Sequence, residues 1–535
     1  MPVKASLLSE LLLQKRAWTP GAGTGDCMHR ELYEFIKREI LEGSLSGGSR
    51  LPPSRLLGQE LGVSRNTVLN AYDQLLAEGY VTATVGRGTF VAHVPLRTAH
   101  PAPDPAGRIH GQLTTQSPSL SARGTQLLAH RGASNRQWGA FVAGVPDVSL
   151  FPRQIWLRLL NRHWRRPGAE TLSYNTVGGH PALRRALAEH LHLSRSVQCD
   201  PEQIVITSGI HQAIDVVARL LGDPGDRAWV EDPGYWGTRS VLTSNGIEVV
   251  PVAVDADGMA PSDAHLNGQA PRFVFTTPSH QYPLGMAMSV SRRLMLIDYA
   301  QRAGCWIIED DYDSEFRFEG RPLASLQGLD NNERVIYMGT FSKTLFPGMR
   351  TGYMVLPRSI AKCAMHALAE LYREGQLVQQ AALADFMTEG HYAAHIRRVR
   401  HVYAKRHGLL RQSIAAHLGP DWPVAAQDAG LHLVLLLPDD MDDVEISHQV
   451  QARDVAARPL SHYYQSQNAH NFRKGLLLGY ACVPDNAIDQ GVQVIARAIR
   501  EAQVPRCTTA GHTQYHYPFR SERSPQESWP SPSPL

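Results

Sequence analysis

A chain of 535 residues, 43% of them hydrophobic, is too long for one ordinary domain and predicts two or three domains with sizeable cores. The formal net charge of +3 is too small to indicate a class of binding partner. The leucine-rich N-terminal stretch carries charges and lacks a cleavage site, and no apolar run is long enough to span a membrane, so a signal peptide and a membrane protein are not expected. Six scattered cysteines show no metal-ligand spacing and predict a reducing, cytoplasmic compartment.

The predicted elements begin with an N-terminal extension, residues 1–28, in which a short amphipathic helix precedes a glycine-rich spacer. After a further helix, Ser54 is placed to cap a short helix over 55–61. Ser64 is placed to cap a second short helix over 65–78. Two short helices joined by a glycine-containing turn are typical of a helix-turn-helix motif.

A β-hairpin is predicted directly after the helix-turn-helix. Residues 80–85 and 88–92 alternate between apolar and polar side chains, and the chain turns between them at Gly86-Arg87. Such a hairpin would form a wing beside the second short helix. With the preceding helices it defines a predicted DNA-binding domain over 29–92.

The start of the second short helix carries an arginine and an asparagine, which match guanine and adenine edges in the major groove. An arginine at the tip of the wing suits the minor groove. A role in protein interaction is the alternative for such a fold. The region 48–92 resembles the winged-helix domain of GntR-type bacterial repressors, which implies binding to double-stranded DNA. The predicted DNA-binding residues are Arg50, Arg55, Ser64, Arg65, Asn66, Thr67, Arg87 and Gly88. The resemblance implies five of them, Arg50, Arg55, Arg65, Thr67 and Gly88.

Residues 93–134 contain several prolines without an apolar period and predict a semi-extended linker. The linker would let the domains move apart or let the DNA-binding domain lie on a partner subunit. A second domain is predicted over 135–505. Residues 506–535, rich in serine, proline and arginine, are predicted to be a disordered tail.

The central motif of the second domain is a lysine that closely follows a predicted buried strand. The apolar run ends at Tyr337-Met338, and a turn of small residues then carries Lys343, with Arg350 seven residues further on. A partly desolvated lysine has a lowered pKa, so its neutral amine can form a Schiff base with an aldehyde. Hydroxyls and an arginine nearby suit a phosphate dianion. An aldehyde and a phosphate together indicate pyridoxal 5'-phosphate (PLP), with a structural lysine as the alternative.

A carboxylate cluster follows a second predicted core strand. Residues 305–308 form that strand, and Asp310 lies at its carboxyl end, where ligands bind in open α/β sheets. An aspartate in this place would keep the pyridinium nitrogen of PLP protonated, which makes the ring an electron sink. Tyr312 follows closely enough to reach the phenolic oxygen of the ring. The alternatives are a calcium-like acidic loop and a solvated strand end.

Three further segments complete a family pattern: Thr207-Ser208-Gly209, residues 231–235 and residues 277–285. Together with the two motifs above, they resemble the fold-type I aminotransferases over about residues 135–500. The resemblance implies PLP held as an aldimine on Lys343, the catalytic lysine, and a homodimer in which Tyr174 reaches the cofactor phosphate of the other subunit. The predicted cofactor-binding residues are Lys343, Asp310, Tyr312, Tyr235, Ser208, Gly209, Ile210, Thr340, Ser342, Arg350, Tyr174 and Tyr282.

The substrate side of this pattern departs from the enzymes. Aminotransferases usually place the arginine that binds the substrate α-carboxylate near a position where this chain has the apolar Leu477. Ordinary transamination of α-amino acids is therefore not expected. Arg239 is predicted to face an anionic group of an effector instead. No metal site is predicted.

The joined architecture resembles the MocR-type subfamily of GntR-like transcriptional regulators. The implied fold is multidomain: an α+β winged helix, then an α/β PLP-dependent transferase of fold type I, with a large, mostly parallel sheet and a smaller α+β C-terminal lobe. The implied function is regulation on a DNA operator by a homodimer that senses a small amine, an amino acid or PLP itself. The alternatives are an active aminotransferase that carries a DNA-binding module, and a DNA-binding protein whose second domain only mediates dimerisation.

Overall fold

The chain forms two compact units, Met1–Ser117 and Pro118–Leu535. The predicted helix near the N-terminus, most of the predicted linker and the predicted tail lie outside the residues that the structure, a computed structural model, describes. None of the described helices has the length and apolar character that crossing a membrane requires. The described residues are 25–84, 86–93, 120–129, 139–174, 178–320, 323–373, 375–425, 429–465 and 471–503.

The first unit is a helix-turn-helix with a wing, as predicted. Its elements are α1 (Gly25–Leu41), α2 (Ser54–Leu61), α3 (Arg65–Ala77), β1 (Val81–Thr84) and β2 (Gly88–Val91). The two strands pair antiparallel, with Val81 opposite Val91. One apolar cluster joins the three helices to this hairpin, and it includes Leu32, Ile36, Leu57, Val68, Leu75 and Val91.

The two short helices begin in different ways. Ser64 caps α3, since its side chain accepts a hydrogen bond of 3.1 Å from the amide of Thr67. The predicted cap at Ser54 is wrong: Pro53 takes the N-cap position, and no side-chain cap bond forms there. Ser54 is instead the first helical residue, because the chain already enters the helix at the proline before it.

The second unit contains the remaining elements, again given in chain order. The helices are α4 (Ala122–Ala129), α5 (Arg153–Arg165), α6 (Ala169–Leu172), α7 (Pro181–Arg195), α8 (Ile210–Leu221), α9 (Trp236–Ser244), α10 (Asp263–Leu266), α11 (Val290–Ala303), α12 (Arg358–Tyr372), α13 (Leu377–Thr388), α14 (His391–Leu418), α15 (Asp443–Gln451) and α16 (Asp485–Gln503). The strands are β3 (Ile204–Thr207), β4 (Arg227–Asp232), β5 (Glu248–Asp255), β6 (Gly258–Met259), β7 (Phe273–Thr276), β8 (Trp306–Asp311), β9 (Val335–Thr340), β10 (Gly352–Val355), β11 (Val424–Ala425), β12 (His432–Leu437), β13 (Arg458–Pro459) and β14 (Lys474–Gly479).

An eight-stranded, mostly parallel sheet organises this unit, with the strand order β3-β10-β9-β8-β7-β4-β5-β6. The pairs β4–β5, β4–β7, β7–β8 and β8–β9 are parallel. Strand β10 is antiparallel to both β3 and β9, so β3 runs in the same direction as β9. The carboxyl ends of β3, β9, β8, β7 and β4 therefore lie along one edge of the sheet.

Helices cover both faces of the large sheet. Ile308 of β8 packs in a cluster with α8 and α12, whereas the preceding Ile307 packs in a cluster with α11. This alternation follows from the two-residue period of a strand, and it explains why the central strands are apolar throughout. The strand predicted over 305–308 spans Trp306–Asp311 in the structure, so the carboxylates of Glu309, Asp310 and Asp311 belong to the strand itself.

A smaller lobe completes the second unit. Its four-stranded antiparallel sheet has the order β11-β12-β14-β13, and helices α15 and α16 pack against each other beside it. Leucines of β12 and β14 join one large apolar core with α16 and with the long helix α14. The stretch predicted as a linker also contains a described helix, α4, which packs near α9.

Candidate cofactor site and candidate DNA-binding surface

Two neighbouring aspartates at the end of β8 point to opposite sides of the sheet. The carboxylate of Asp311 is buried and accepts hydrogen bonds from Arg195 Nε at 2.7 Å and from the Tyr337 hydroxyl at 2.6 Å. Asp310 alternates to the other side. Its Oδ1 atom is buried, and no hydrogen-bond donor of the described residues reaches it. Asp311 is thus a satisfied structural charge, and Asp310 offers an acceptor atom to a ligand.

Lys343 lies in the turn that follows β9, the strand beside β8. Its ammonium donates a hydrogen bond of 2.8 Å to the carbonyl oxygen of Gly144. Burial lowers the pKa of this lysine, and the carboxylates of Asp313 and Asp310 oppose that effect. The structure therefore brings the predicted lysine and the predicted aspartate into the same electrostatic environment.

The acidity of Asp310 is strongly perturbed. Burial raises its pKa to about 7, and the neighbouring charge of Asp311 adds to that rise, while Lys343 opposes it. A carboxylic acid in such a place is neutral at pH 7 about half the time unless a cation lies next to it. A positively charged group bound beside Asp310 would therefore keep this carboxyl ionised and form an ion pair with it.

An aromatic cluster lines the same edge of the sheet. The ring of Tyr282 makes edge-to-face contacts with Tyr235, Tyr312 and Tyr463, at centroid distances of 5.8, 5.6 and 5.5 Å. The hydroxyl of Tyr235 lies 2.9 Å from His211 Nε2. Aromatic walls of this kind exclude water and suit a flat ring. Three of the predicted cofactor-binding residues, Tyr235, Tyr282 and Tyr312, are thus brought together.

Predicted phosphate-binding residues converge at the turn after β3. Gly209 has a φ of 105°, and α8 begins at Ile210 directly after it. A Cβ added to Gly209 would lie 3.6 Å from the guanidinium of Arg350, so the glycine lets the arginine lie against the backbone. Ser208 and Arg350 also line one cavity. Backbone amides at a helix start, beside an arginine, form an anion site.

Two hydrogen bonds already engage predicted phosphate-binding residues within their own turns. The amide of Ser208 already donates to Gln212 Oε1 at 2.6 Å, so it is engaged within the turn. After β9, Thr340 Oγ1 accepts a hydrogen bond of 3.1 Å from the amide of Ser342, which fixes the turn that leads to Lys343.

Tyr174 and Arg239 stand apart from this cluster. The side chain of Tyr174 is 77% exposed, and the guanidinium of Arg373 lies 5.5 Å from its ring centroid. Arg239 is half-buried on α9, where burial lowers its pKa and the carboxylate of Asp232 opposes that effect. Neither contacts Lys343 or Asp310 in the structure.

Sequence reasoning missed three partners in the site. Gly144, which binds Lys343, is 199 residues away in the chain and carries no side chain to mark it. His280 Nδ1 lies 3.0 Å from Asp313 Oδ2 and 2.9 Å from the Tyr312 hydroxyl. The signal for this pair was present, since His280 precedes Tyr282 in the family segment and Asp313 follows Tyr312. The third partner is Arg458, the first residue of β13, whose positive charge acts on Lys343.

The start of α3 presents the predicted DNA-reading residues in two groups. Arg65 and Asn66 are exposed. Thr67 is buried, and its hydroxyl lies 2.8 Å from that of Ser64, so both side chains serve the helix cap. Arg65 and Asn66 are consequently the side chains at this helix start that can reach base edges in a major groove.

The wing brings Arg50 and Gly88 together. Gly88 has a φ of 110°, and a Cβ there would lie 3.0 Å from Arg50 Nε. The glycine therefore allows the guanidinium of Arg50 to lie across the hairpin. Arg55 on α2 and Arg87 at the tip of the wing are both exposed. Together with the start of α3, these arginines give the first unit several exposed cations suited to phosphate contacts.

The two units define a class: a winged-helix DNA-binding module joined in one chain to a fold-type I aminotransferase domain. The model for bacterial regulatory proteins of the gntR family matches residues 28–91, and the model for class I and II aminotransferases matches residues 156–503. The chain belongs to the MocR-type GntR regulators, the helix-turn-helix transcriptional regulators that carry such an aminotransferase domain.

Individual relatives agree with this assignment. The chain is 41% identical over 473 residues to the probable rhizopine catabolism regulatory protein MocR of Rhizobium meliloti, covering 88% of this chain and 93% of that protein. It is 33% identical to the HTH-type transcriptional regulator TauR of Rhodobacter capsulatus, covering 90% and 98%. Among solved structures, kynurenine aminotransferase of Pyrococcus horikoshii, in complex with PMP, matches with a TM-score of 0.63 at 26% identity, covering 72% of this chain and 96% of that one.

Proposed function

We propose that the protein is a PLP-dependent transcriptional regulator that binds a DNA operator through its first unit and a small amine or amino acid through its second. The observation that carries this proposal is the pairing of Lys343 with Asp310. A desolvated lysine and a buried carboxylate oxygen without a donor share one edge of the sheet. This edge is where open α/β sheets bind ligands.

The residues present fit PLP. The buried Oδ1 of Asp310 is an acceptor that a protonated ring nitrogen would satisfy. Arg350 beside the start of α8 suits the phosphate, and the ring of Tyr235 suits the face of a pyridine. When bound, PLP supplies an aldehyde that reacts with primary amines and a ring that withdraws electrons.

The side chains around the cofactor would each have a separate role. Asp310, with its raised pKa, would hold a proton on the ring nitrogen. Burial of Lys343 lowers its pKa and so increases the share of neutral amine, the form that reacts with a carbonyl. Tyr312, held by His280 at 2.9 Å, would orient a hydroxyl toward the ring. The tyrosine cluster around Tyr282 would keep water out.

Regulation requires that the effector bind one DNA-binding state of the protein more tightly than the other. To change the ratio of the two states from 1:99 to 99:1, the effector must bind one state about 10⁴-fold more tightly than the other. A Lys343 that holds PLP would not be free to donate to the carbonyl oxygen of Gly144 as it does in the structure, and an effector amine that replaced Lys343 would free the lysine for that hydrogen bond. Gly144 lies on the segment that leads into α5, so we expect this change of contact to reach that helix. The 77% exposed Tyr174 suits a role in a homodimer, where it would meet the partner's site.

The apolar Leu477 favours a regulator over an enzyme. Leu477 lies in a fully buried apolar part of β14. The α-carboxylate of an ordinary substrate would have no cation at that position. A catalytic cycle on common α-amino acids is therefore not proposed.

The test is the visible absorbance of the full chain mixed with PLP, compared with Lys343→Ala and with the matched control Lys362→Ala on the exposed side of α12. We expect a new visible band in the wild type and in Lys362→Ala, and none in Lys343→Ala. Binding to operator-containing upstream DNA, measured by fluorescence anisotropy, should survive in all three proteins and respond to amines only in the first two. A band that persists in Lys343→Ala would overturn the proposed cofactor site.

A further inference from the structure

A leucine interrupts the polar outer face at the start of α3, the helix that carries the predicted DNA-reading residues. Leu69 is half-buried, whereas Arg65, Asn66 and Asn70 around it are exposed. The inner face of the helix begins with the buried Val68. In the part of the first unit that the structure describes, Leu69 is not among the residues that form or adjoin the apolar core. Its apolar surface is therefore directed away from that core.

Leu69 lies on the same face of α3 as Arg65. Residues four apart on a helix lie one above the other, about 6 Å apart along the axis. Leu69 also lines a cavity of about 240 Å³ together with Arg50, Ser54 and Gly88. The Nε atom of Arg65 lies 3.5 Å from the hydroxyl of Ser54. Leu69 is thus surrounded by the predicted DNA-binding residues Arg50, Arg65 and Gly88.

An acidic residue limits the part of this face that suits a nucleic acid. Asp73 is exposed one turn after Leu69, and it lines the same cavity. DNA phosphates repel a carboxylate, so the surface of α3 that suits DNA runs from Arg65 to Leu69. With a rise of about 3.4 Å per base pair, these two side chains are about two base pairs apart.

The chemistry of the major groove decides what a leucine can recognise there. Guanine, adenine and cytosine present hydrogen-bond donors and acceptors on their edges, and thymine alone adds an apolar group, its C5-methyl. A leucine against a polar edge removes water from that edge and returns no hydrogen bond. A leucine against the thymine methyl removes apolar surface from water on both sides. Leu69 therefore favours thymine.

We propose that Leu69 reads the C5-methyl group of one thymine in the operator, about two base pairs from the base that Arg65 reads. This inference rests on the DNA binding of the proposed function and adds a specificity-determining residue to it. Arg65 and Asn66 would select bases by hydrogen bonds, and Leu69 would select by apolar contact.

The experiment uses the full chain and a duplex that it selects from a random-sequence library. Each thymine of the selected duplex is replaced in turn by deoxyuridine, which lacks only the C5-methyl group. Affinities are measured by fluorescence anisotropy at one salt concentration. We expect one thymine whose methyl group strengthens wild-type binding about 3- to 5-fold, the effect of burying one such group. It should lie about two base pairs from the position whose base preference is lost in Arg65→Ala.

Leu69→Ala should bind the thymine and deoxyuridine duplexes equally, because the methyl group has lost its partner. Leu69→Met keeps an apolar side chain of similar volume and should keep most of the difference. Leu41→Ala, which removes an exposed leucine at the end of α1, is the matched control and should keep all of it. The urea midpoint of Leu69→Ala should equal that of the wild type, since Leu69 lies outside the core.

Two outcomes would overturn the inference: a wild type for which no thymine methyl group matters, or a methyl effect that persists in Leu69→Ala. The second would indicate that Leu69 faces something other than a base. Failure of DNA binding itself is distinguished from both, because the wild type would then select no sequence from the library, and the inference would fall with the proposed function.

Discussion

Replacing Asp310 by asparagine should change stability and cofactor affinity in opposite directions. The carboxylate has an ordinary pKa of 3.8, and burial, with the charge of Asp311, raises it to about 7. One unit of pKa corresponds to about 1.4 kcal/mol, so the buried charge destabilises the cofactor-free protein by about 2–4 kcal/mol at pH 8. Asparagine keeps the shape and removes the charge.

The sign of the pH dependence follows from proton uptake. Because folding raises the pKa of Asp310, the folded state binds more protons than the unfolded state between pH 3.8 and about 7. The contribution of this group to stability therefore falls as the pH rises through that window and is most unfavourable above it. The Asp310→Asn variant lacks this loss, so its advantage over the wild type should be largest at pH 8 and less than half as large at pH 5.

Thermal unfolding of the cofactor-free protein measures the effect. For a unit of about 400 residues, 1 kcal/mol shifts the midpoint by about 1 °C, so we expect Asp310→Asn to melt about 2–5 °C higher than the wild type at pH 8. Its affinity for PLP should fall about 10- to 100-fold, because an ion pair with the ring nitrogen is lost. Asp298→Asn, on the exposed side of α11, is the matched control and should change neither quantity. Equal shifts at pH 5 and pH 8, or undiminished PLP affinity, would refute the reasoning.

Four further substitutions test other parts of the structure by urea unfolding of the full chain. Gly88→Ala should cost about 1–2 kcal/mol and weaken DNA binding, because its φ of 110° is unfavourable for alanine and the added methyl group meets an arginine. Arg195→Met should cost about 3–5 kcal/mol, since it leaves the buried charge of Asp311 unpaired; a cost near zero would mean that this charge is not buried in solution. Ser64→Ala should cost about 1 kcal/mol, whereas Ser54→Ala should cost a few tenths at most; equal losses would contradict the assignment of the cap.

Much of the fold was accessible from the sequence because its signals are local. The helix-turn-helix and its wing are marked by glycines and by a change of apolar period. The strands that end near Asp310 and Lys343 are apolar runs, and parallel strands place their carboxyl ends together, so the two residues could be predicted to meet.

Other features depend on contacts that no local pattern encodes. The bond from Lys343 to Gly144 is made by a backbone carbonyl. The position of Arg458 follows from the register of β13 against β14, which is set by packing of the whole small lobe. The predicted cap at Ser54 is wrong because either of two adjacent residues can occupy the N-cap position, and in the structure Pro53 occupies it. Such choices are decided by tertiary structure, which overrides local preference.

The antiparallel strand β10 limits the order in which the second unit can fold during synthesis. It inserts between β3 and β9, and its residue Val355 pairs with Ile204, about 150 residues earlier in the chain. On the ribosome, β3 and the turn with Gly209 must wait for β10 to emerge before the sheet can close. Pairings across such distances form slowly. The turn with Gly209 therefore takes its final place only after the turn with Lys343 has been synthesised, so the two turns cannot come together around a ligand before most of the second unit exists.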